Sequence, residues 1–410
     1  MKLPKVPAMW LLALLALDFT GCAERLFQPQ LERALTASWQ SYRQQFISPE
    51  GRVVIPERDG GAISEAQAYA LLRAVWAGDE ATFGQAYSWT HKNLSRPDHL
   101  LAWHWGRRPD GSRGVLDANT ASDGDLDYAL ALILAARRGW RAPPDLPDYR
   151  AKAREVLAAI LEKEVVALPG GEVLFLTPGN WHEAEPPYLL NPSYFSPAAY
   201  RLFTQIGAGP VGAAREPPLQ DYRQGRGDLS PGAAWNRLRQ DTYQLLEVMN
   251  QGLEGQPGVG LFPDWCLVDA AGKLSPAPGR DAHFGWEAPR LPWRLALDHF
   301  WFGEARAAQF LGQRFLPFFK QEWQNKGKLA AVYNFEGAPM VDYDSPVLYA
   351  GVLAAALTAG DRDFAAQLAQ KIMTFYCEKD GRAYFVSPDN YYANNWAWLG
   401  LALYAGWVKP

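Results

Sequence analysis

Cysteine is nearly absent from this chain: three in 410 residues, at positions 22, 266 and 377. They are too few and too far apart to staple a disulfide framework or to hold zinc, and Cys266 and Cys377 read as separate buried thiols. Histidine is scarce as well, with six copies and no HExxH pair, so a catalytic zinc site lacks its ligands. No glycine-rich phosphate loop precedes a helix, and no G-x-S-x-G elbow presents a serine nucleophile. Asp123, Asp125 and Asp127 alternate like calcium-loop ligands, but the glycine and terminal glutamate that such a loop needs are misplaced. The formal net charge is only -4, which gives no reason to expect nucleic acid as a partner. No metal or cofactor is expected.

Apolar runs long enough to span a bilayer are also missing. The single approach to one, in MKLPKVPAMWLLALLALDFTGCAER, is short, follows Lys2 and Lys5, and ends in small residues before Cys22. That pattern predicts an export signal over residues 1–24, with residues 25–410 forming one mature domain. FTGC is similar to a bacterial lipoprotein box, which implies acylation of Cys22, membrane attachment through it, and a place in the periplasm or at the cell surface; plain secretion and an uncleaved anchor are the alternatives.

Aromatics, by contrast, are plentiful: 17 Trp, 18 Tyr and 19 Phe. Flat amphipathic rings fill thick helical cores and also stack on sugar rings. Apolar residues recur at spacings of three and four, as in Leu31, Leu35, Trp39, Tyr42 and Phe46, or Tyr128, Leu132 and Ala135. Such patterns predict about a dozen helices, among them 80–94, 149–166, 196–206, 233–251, 290–302, 304–324, 344–359, 361–377 and 391–406. Strand signals are short: 53–55, 172–176, 329–333 and 383–386. A dozen helices in one domain, with no fixed repeat length, point to an all-α toroid of helical hairpins rather than to a solenoid.

Acids stand at the mouths of several of these helices. In SDGDLDYALALILAARRGW, Ser122 and Asp125 have the spacing of a capping box, which accounts for Asp125 and leaves Asp123 over. Ser64 and Gln67 repeat the pattern around Glu65. In a helical toroid alternate helices begin on one rim, so Glu65 and Asp123 can face one groove. A third acid, Glu287, precedes another helix in FGWEAPRLPWRLALD, close to Arg290 and Arg294. Carboxylate pairs among aromatics suit glycoside hydrolysis, in which one group protonates the leaving oxygen and the other activates water or attacks the sugar. Trp103 and Trp105, one residue apart in an extended segment, would put two rings on one side for stacking on a sugar chain, and Trp181 and Trp265 are further candidates.

Taken together, SEAQAYALLRAV, ASDGDLDYALALILAARRGW, NPSYFSPAAYRLF, GLFPDW, WEAPRLPWR and YYANNWAWLGLALYAG resemble, in order, the sequence blocks of glycoside hydrolase family 8. This family of inverting endoglucanases includes the cellulase subunit of cellulose-synthesis operons. The resemblance covers nearly the whole mature chain and implies an (α/α)6 barrel with an open groove for a β-linked polysaccharide. It also implies Glu65 as general acid, Asp123 as the carboxylate that binds and distorts the sugar, and Tyr194 and Arg290 at the substrate site. Where well-known members read Tyr-Asp-Ala-x-Arg, this chain reads Trp286-Glu287-Ala288-Pro289-Arg290, so Glu287 stands at the position of the base, with Asp264, Asp342 and Asp344 as fallbacks. The activity implied is an endo-β-1,4-glucanase, linked to cellulose-synthesis machinery. A chitosanase, a xylanase and a non-catalytic glycan-binding protein are the alternatives.

Overall fold

A computed structural model describes residues 8–171, 173–207, 229–253 and 258–410. Its helices are α1 (Ala8–Phe46), α2 (Ser64–Ala77), α3 (Glu80–Leu94), α4 (Ser122–Arg137), α5 (Tyr149–Lys163), α6 (Pro197–Gly207) and α7 (Pro231–Asn250), followed by α8 (Arg290–Phe302), α9 (Ala305–Phe310), α10 (Leu316–Lys326), α11 (Pro346–Thr358), α12 (Arg362–Met373) and α13 (Tyr391–Tyr404). One π-helical stretch, Leu311–Phe315, joins α9 to α10.

Burial sorts these helices into two rings. In α2, α4, α8, α11 and α13 nearly every residue is buried, which is how a helix surrounded by other helices reads. α5, α7 and α12 bury only one face, as helices with water on the other side do. The inner helices pack in sequence, α2 on α4, α4 on α6, α6 on α8, α8 on α11 and α11 on α13, while α3, α5, α7, α9–α10 and α12 back them. The ring closes where Tyr69 of α2 meets Trp396 of α13 edge-on, with ring centroids 5.7 Å apart. Trp396 meets Trp293 of α8, and Trp293 meets Trp76 of α2, so aromatic edges run through the middle of the barrel. The sixth hairpin is made from the two ends of the described chain: α1 is the outer partner of α13. The architecture is an (α/α)6 barrel.

Two buried arginines tie helices together. Arg73 of α2 lies against the rings of Trp39 and Tyr42 from α1 and Trp398 from α13, and donates to Asn395. Arg294 of α8 makes a two-pronged pair with Asp127 of α4, at 2.6 and 2.7 Å.

Strands are confined to the loops. Ala62–Ile63, His104–Arg107 and Arg113–Asp117 form one small antiparallel sheet; Tyr188–Leu190, Cys266–Val268 and Leu274–Pro276 form another; two hairpins complete the set. The strands expected at 53–55 and 329–333 are only isolated bridges, Ile47 to Val53, Ile55 to Gly61 and Phe284 to Tyr333. The strand expected from 172 begins at Leu174, residue 172 lying outside the described residues. Cys266 is buried and Cys377 half-buried, both as free thiols. Among the described residues no helix is long and apolar enough to cross a membrane. The side chain of Cys22 lies outside the described residues, as do most residues of the polar stretch 207–231.

Candidate active site

The inner helices begin on one rim, and their first turns supply the site. Glu65 is the second residue of α2, Asp123 the second of α4, Arg290 the first of α8 and Tyr391 the first of α13. Close approach of the α2 and α4 mouths depends on Gly124, where a Cβ would sit 2.5 Å from Ser64 Oγ and 3.0 Å from the Glu65 backbone nitrogen.

Neither expected capping box forms. The residues at the two N-caps are Ile63 and Ala121, and neither offers a side-chain acceptor to its helix. Three of the four supposed capping side chains have a tertiary partner instead, while the buried Ser64 hydroxyl makes no hydrogen bond to the protein. Gln67 donates to Thr90 Oγ1 at 2.7 Å and accepts from the Val53 backbone, Ser122 donates to the Thr177 carbonyl, and Asp125 accepts the Leu101 N–H at 2.8 Å. Gln67, Ser122 and Asp125 thus pin surrounding segments to the inner helices.

At the centre of the rim lies Arg290, 1% exposed. One terminal nitrogen, Nη1, donates to Glu65 Oε2 at 2.7 Å, Asp123 Oδ2 at 3.0 Å and the Tyr69 hydroxyl at 3.3 Å. The other, Nη2, donates to Glu287 Oε2 at 2.9 Å, and Nε donates to Ser193 Oγ at 3.1 Å. Tyr194 lies against the guanidinium face, 5.1 Å from ring centroid to carbon. Glu65 and Glu287 thus grip the two ends of one guanidinium.

Each carboxylate has further partners. Glu65 Oε1 accepts from the Tyr391 hydroxyl at 2.7 Å. Glu287 accepts from Asn191 Nδ2 and, at 3.3 Å, from Trp265 Nε1, and its side chain is 30% exposed. Asp123, almost fully buried, accepts the Gly124 N–H at 2.8 Å. Burial pushes Asp123 up to about 7; Arg290 opposes that shift and the Glu65 charge adds to it. Three carboxylates on one guanidinium leave the cluster with excess negative charge, a setting in which a proton is held near neutrality.

Glu65, Asp123, Glu287, Tyr194, Trp265 and Arg290 therefore converge, as expected. Trp105 does not. It is buried against Trp89, ring centroids 5.2 Å apart, with Arg52 and Arg113 over its indole. The strand begins only at His104, so Trp103 and Trp105 are not alternate positions of one strand, and Trp105 is a core ring. Trp103 remains half-buried, with Arg58 over its ring. Of the fallback acids, Asp344 pairs with Lys371 and accepts from the Tyr349 hydroxyl, and Asp264 is enclosed by backbone amides.

Several participants escaped the sequence reading. Tyr391 and Tyr69 lie on helices whose apolar pattern was plain, and the helix-mouth logic that picked out Glu65 would have picked out Tyr391. Asn191 and Ser193 carry no pattern of their own. Around the mouth, Trp286 and Tyr343 are exposed by 44% and 49% and stack at 6.2 Å with their planes 26° apart, and Trp181 is 39% exposed. Large exposed rings beside paired carboxylates form a platform for sugar faces.

Comparison with known proteins agrees with this geometry. The family model described as "Glycosyl hydrolases family 8" matches residues 9–212 and 216–403. The chain belongs to glycosyl hydrolases family 8. Within this family it is 36% identical over 200 residues to an endoglucanase of Pseudomonas fluorescens (strain SBW25), a match covering 48% of each chain. It is 26% identical over 388 residues to endoglucanase A of Acetivibrio thermocellus, covering 92% of this chain and 70% of that one. The chain spans about half the length of the first curated relatives it matches. In three dimensions it resembles the endo-beta-1,4-glucanase CMCax from Acetobacter xylinum, with a TM-score of 0.64, 24% identity and coverage of 90% of this chain and 98% of that one. That similarity supports the family 8 fold.

Proposed function

We propose that the chain is an endo-acting, inverting glycoside hydrolase of β-1,4-glucan, with Glu65 as general acid, Glu287 as general base and Asp123 as the carboxylate that grips the sugar at the cleavage point. The observation that carries this reading is the single guanidinium of Arg290 holding all three carboxylates at a rim that also carries exposed aromatic rings. Glu65 gives its proton to the glycosidic oxygen as the bond to the anomeric carbon breaks; Glu287 takes a proton from the water that attacks the opposite face. The extra methylene of Glu287 relative to aspartate is accommodated by Asn191, Trp265 and Arg290, which fix the carboxylate through three donors and leave it partly open to water. The relatives named endoglucanase support a β-glucan as substrate. We further read residues 1–24 as an export signal, Cys22 as a lipid-attachment point, and cellulose production as the setting, on the sequence patterns alone.

Proton NMR of residues 25–410 acting on cellohexaose tests the proposal. The first product signal expected is the α-anomer. A β-anomer would reassign Glu287 as a nucleophile. If cellohexaose, mixed-linkage glucan, xylan and chitosan are all left intact, the catalytic reading fails in favour of glycan binding.

A further inference from the structure

Asp264 lies directly behind the loop that carries Glu287 and is 3% exposed. Its Oδ1 accepts the backbone N–H groups of Gly285 at 3.3 Å, Glu287 at 3.0 Å and Ala288 at 2.6 Å, and its Oδ2 accepts that of Trp286 at 3.2 Å. Four consecutive amides thus converge on one carboxylate, and a carboxylate has about four lone-pair sites. Oδ1 takes three of the four amides and Oδ2 one, and with the residue 3% exposed the carboxylate is turned to the loop rather than to solvent, which argues against Asp264 as the base. The backbone of Asp264 is fixed in turn, its own N–H bonding the His283 carbonyl at 2.7 Å. Gly285 completes the fit: a Cβ there would stand 2.8 Å from Asp264 Oδ2, so the loop wraps the carboxylate as closely as a residue without a side chain allows.

We infer that Asp264 is a positioning residue for the reaction: by gathering the amides of Gly285 to Ala288 it sets where the Glu287 carboxylate stands opposite Glu65. The inference rests on Glu287 acting as the base. Burying a carboxylate is costly unless it is fully hydrogen-bonded, and the loop amides provide that bonding. The dependence is mutual, since without the anion the four N–H groups would converge on nothing. An asparagine of the same shape would turn its NH2 group towards N–H donors and release part of the loop.

The test combines amide hydrogen exchange with steady-state kinetics on cellohexaose for Asp264→Asn and Gly285→Ala. The second variant crowds the same contact without touching the buried charge. In both, exchange over residues 285–288 is expected to quicken at least tenfold while the inner helices keep their protection. The expected kinetic effect is a 10- to 100-fold fall in kcat with KM within threefold of the parent. Unchanged protection of the loop in both variants, or a loss confined to KM, would overturn the inference. If the parent chain itself hydrolyses nothing, the proposed function fails, and the exchange measurement still decides whether Asp264 holds the loop.

Discussion

At the scale of single residues, the site is organised by one cation that pairs with three acids. Glu65→Gln keeps the shape and the contact with Tyr391 but has no proton to give. Its kcat on cellohexaose is expected to fall at least about 1,000-fold, within the range for loss of a general acid, while calorimetry finds oligosaccharide affinity within about threefold of the parent. Unchanged turnover would remove Glu65 from its role. Arg290→Lys is a harsher change than it looks, because an ammonium cannot span carboxylates at the two ends of a planar fork. We expect it to lose more than 100-fold in kcat, with the folded state retained by circular dichroism. The helix-mouth acids were legible in the sequence because a carboxylate ahead of an apolar helix is conspicuous. Their partners were less so: the acceptors of Gln67 and the donors around Asp264 are backbone groups or distant hydroxyls, which leave no trace in local spacing.

At the scale of the elements, the inner helices are held in register by polar contacts made in a dry interior. Asp127 and Arg294 join α4 to α8, each no more than 3% exposed. A buried pair of this kind contributes little compared with an apolar replacement, yet breaking one side strands the other charge. Arg294→Met is therefore expected to destabilise the fold by about 3–5 kcal/mol in urea titration, and adding Asp127→Leu to recover most of that loss. Full additivity of the two changes would refute the coupling. Helix positions were legible almost to the residue where periodicity was strong, as at Glu80–Leu94 and Arg290–Phe302. Trp105 was misread for a reason local pattern cannot reveal: its strand begins only at His104, and its ring packs on Trp89 with Arg52 and Arg113 over it.

At the scale of the molecule, acids sealed beneath the rim make stability depend on pH. Burial raises Glu164 from about 4.5 to about 8, and burial together with the neighbouring Glu164 raises Asp125 as well. Because the folded value lies above the unfolded one, the fold holds the extra proton across this window; the stabilisation is complete below about pH 4.5 and lost as the pH climbs through about 8. The melting temperature of the parent is expected to decline over that interval. Glu164→Gln, which keeps an oxygen for the Thr120 hydroxyl, should flatten the decline. An equal slope in parent and variant would show that other groups set the pH response.

The pairing of α1 with α13 bears on how the molecule comes into being. Trp398 donates to the carbonyl of Leu35 across 363 positions of sequence. On a ribosome the apolar face of α1 emerges early and has to wait for the last helix to be made, and ordering so long a connection is slow. The same final helix brings Tyr391 to Glu65. A nascent or truncated chain lacking α13 therefore has neither a closed ring nor the Tyr391 contact to Glu65, so the rim cannot be completed until α13 has been made.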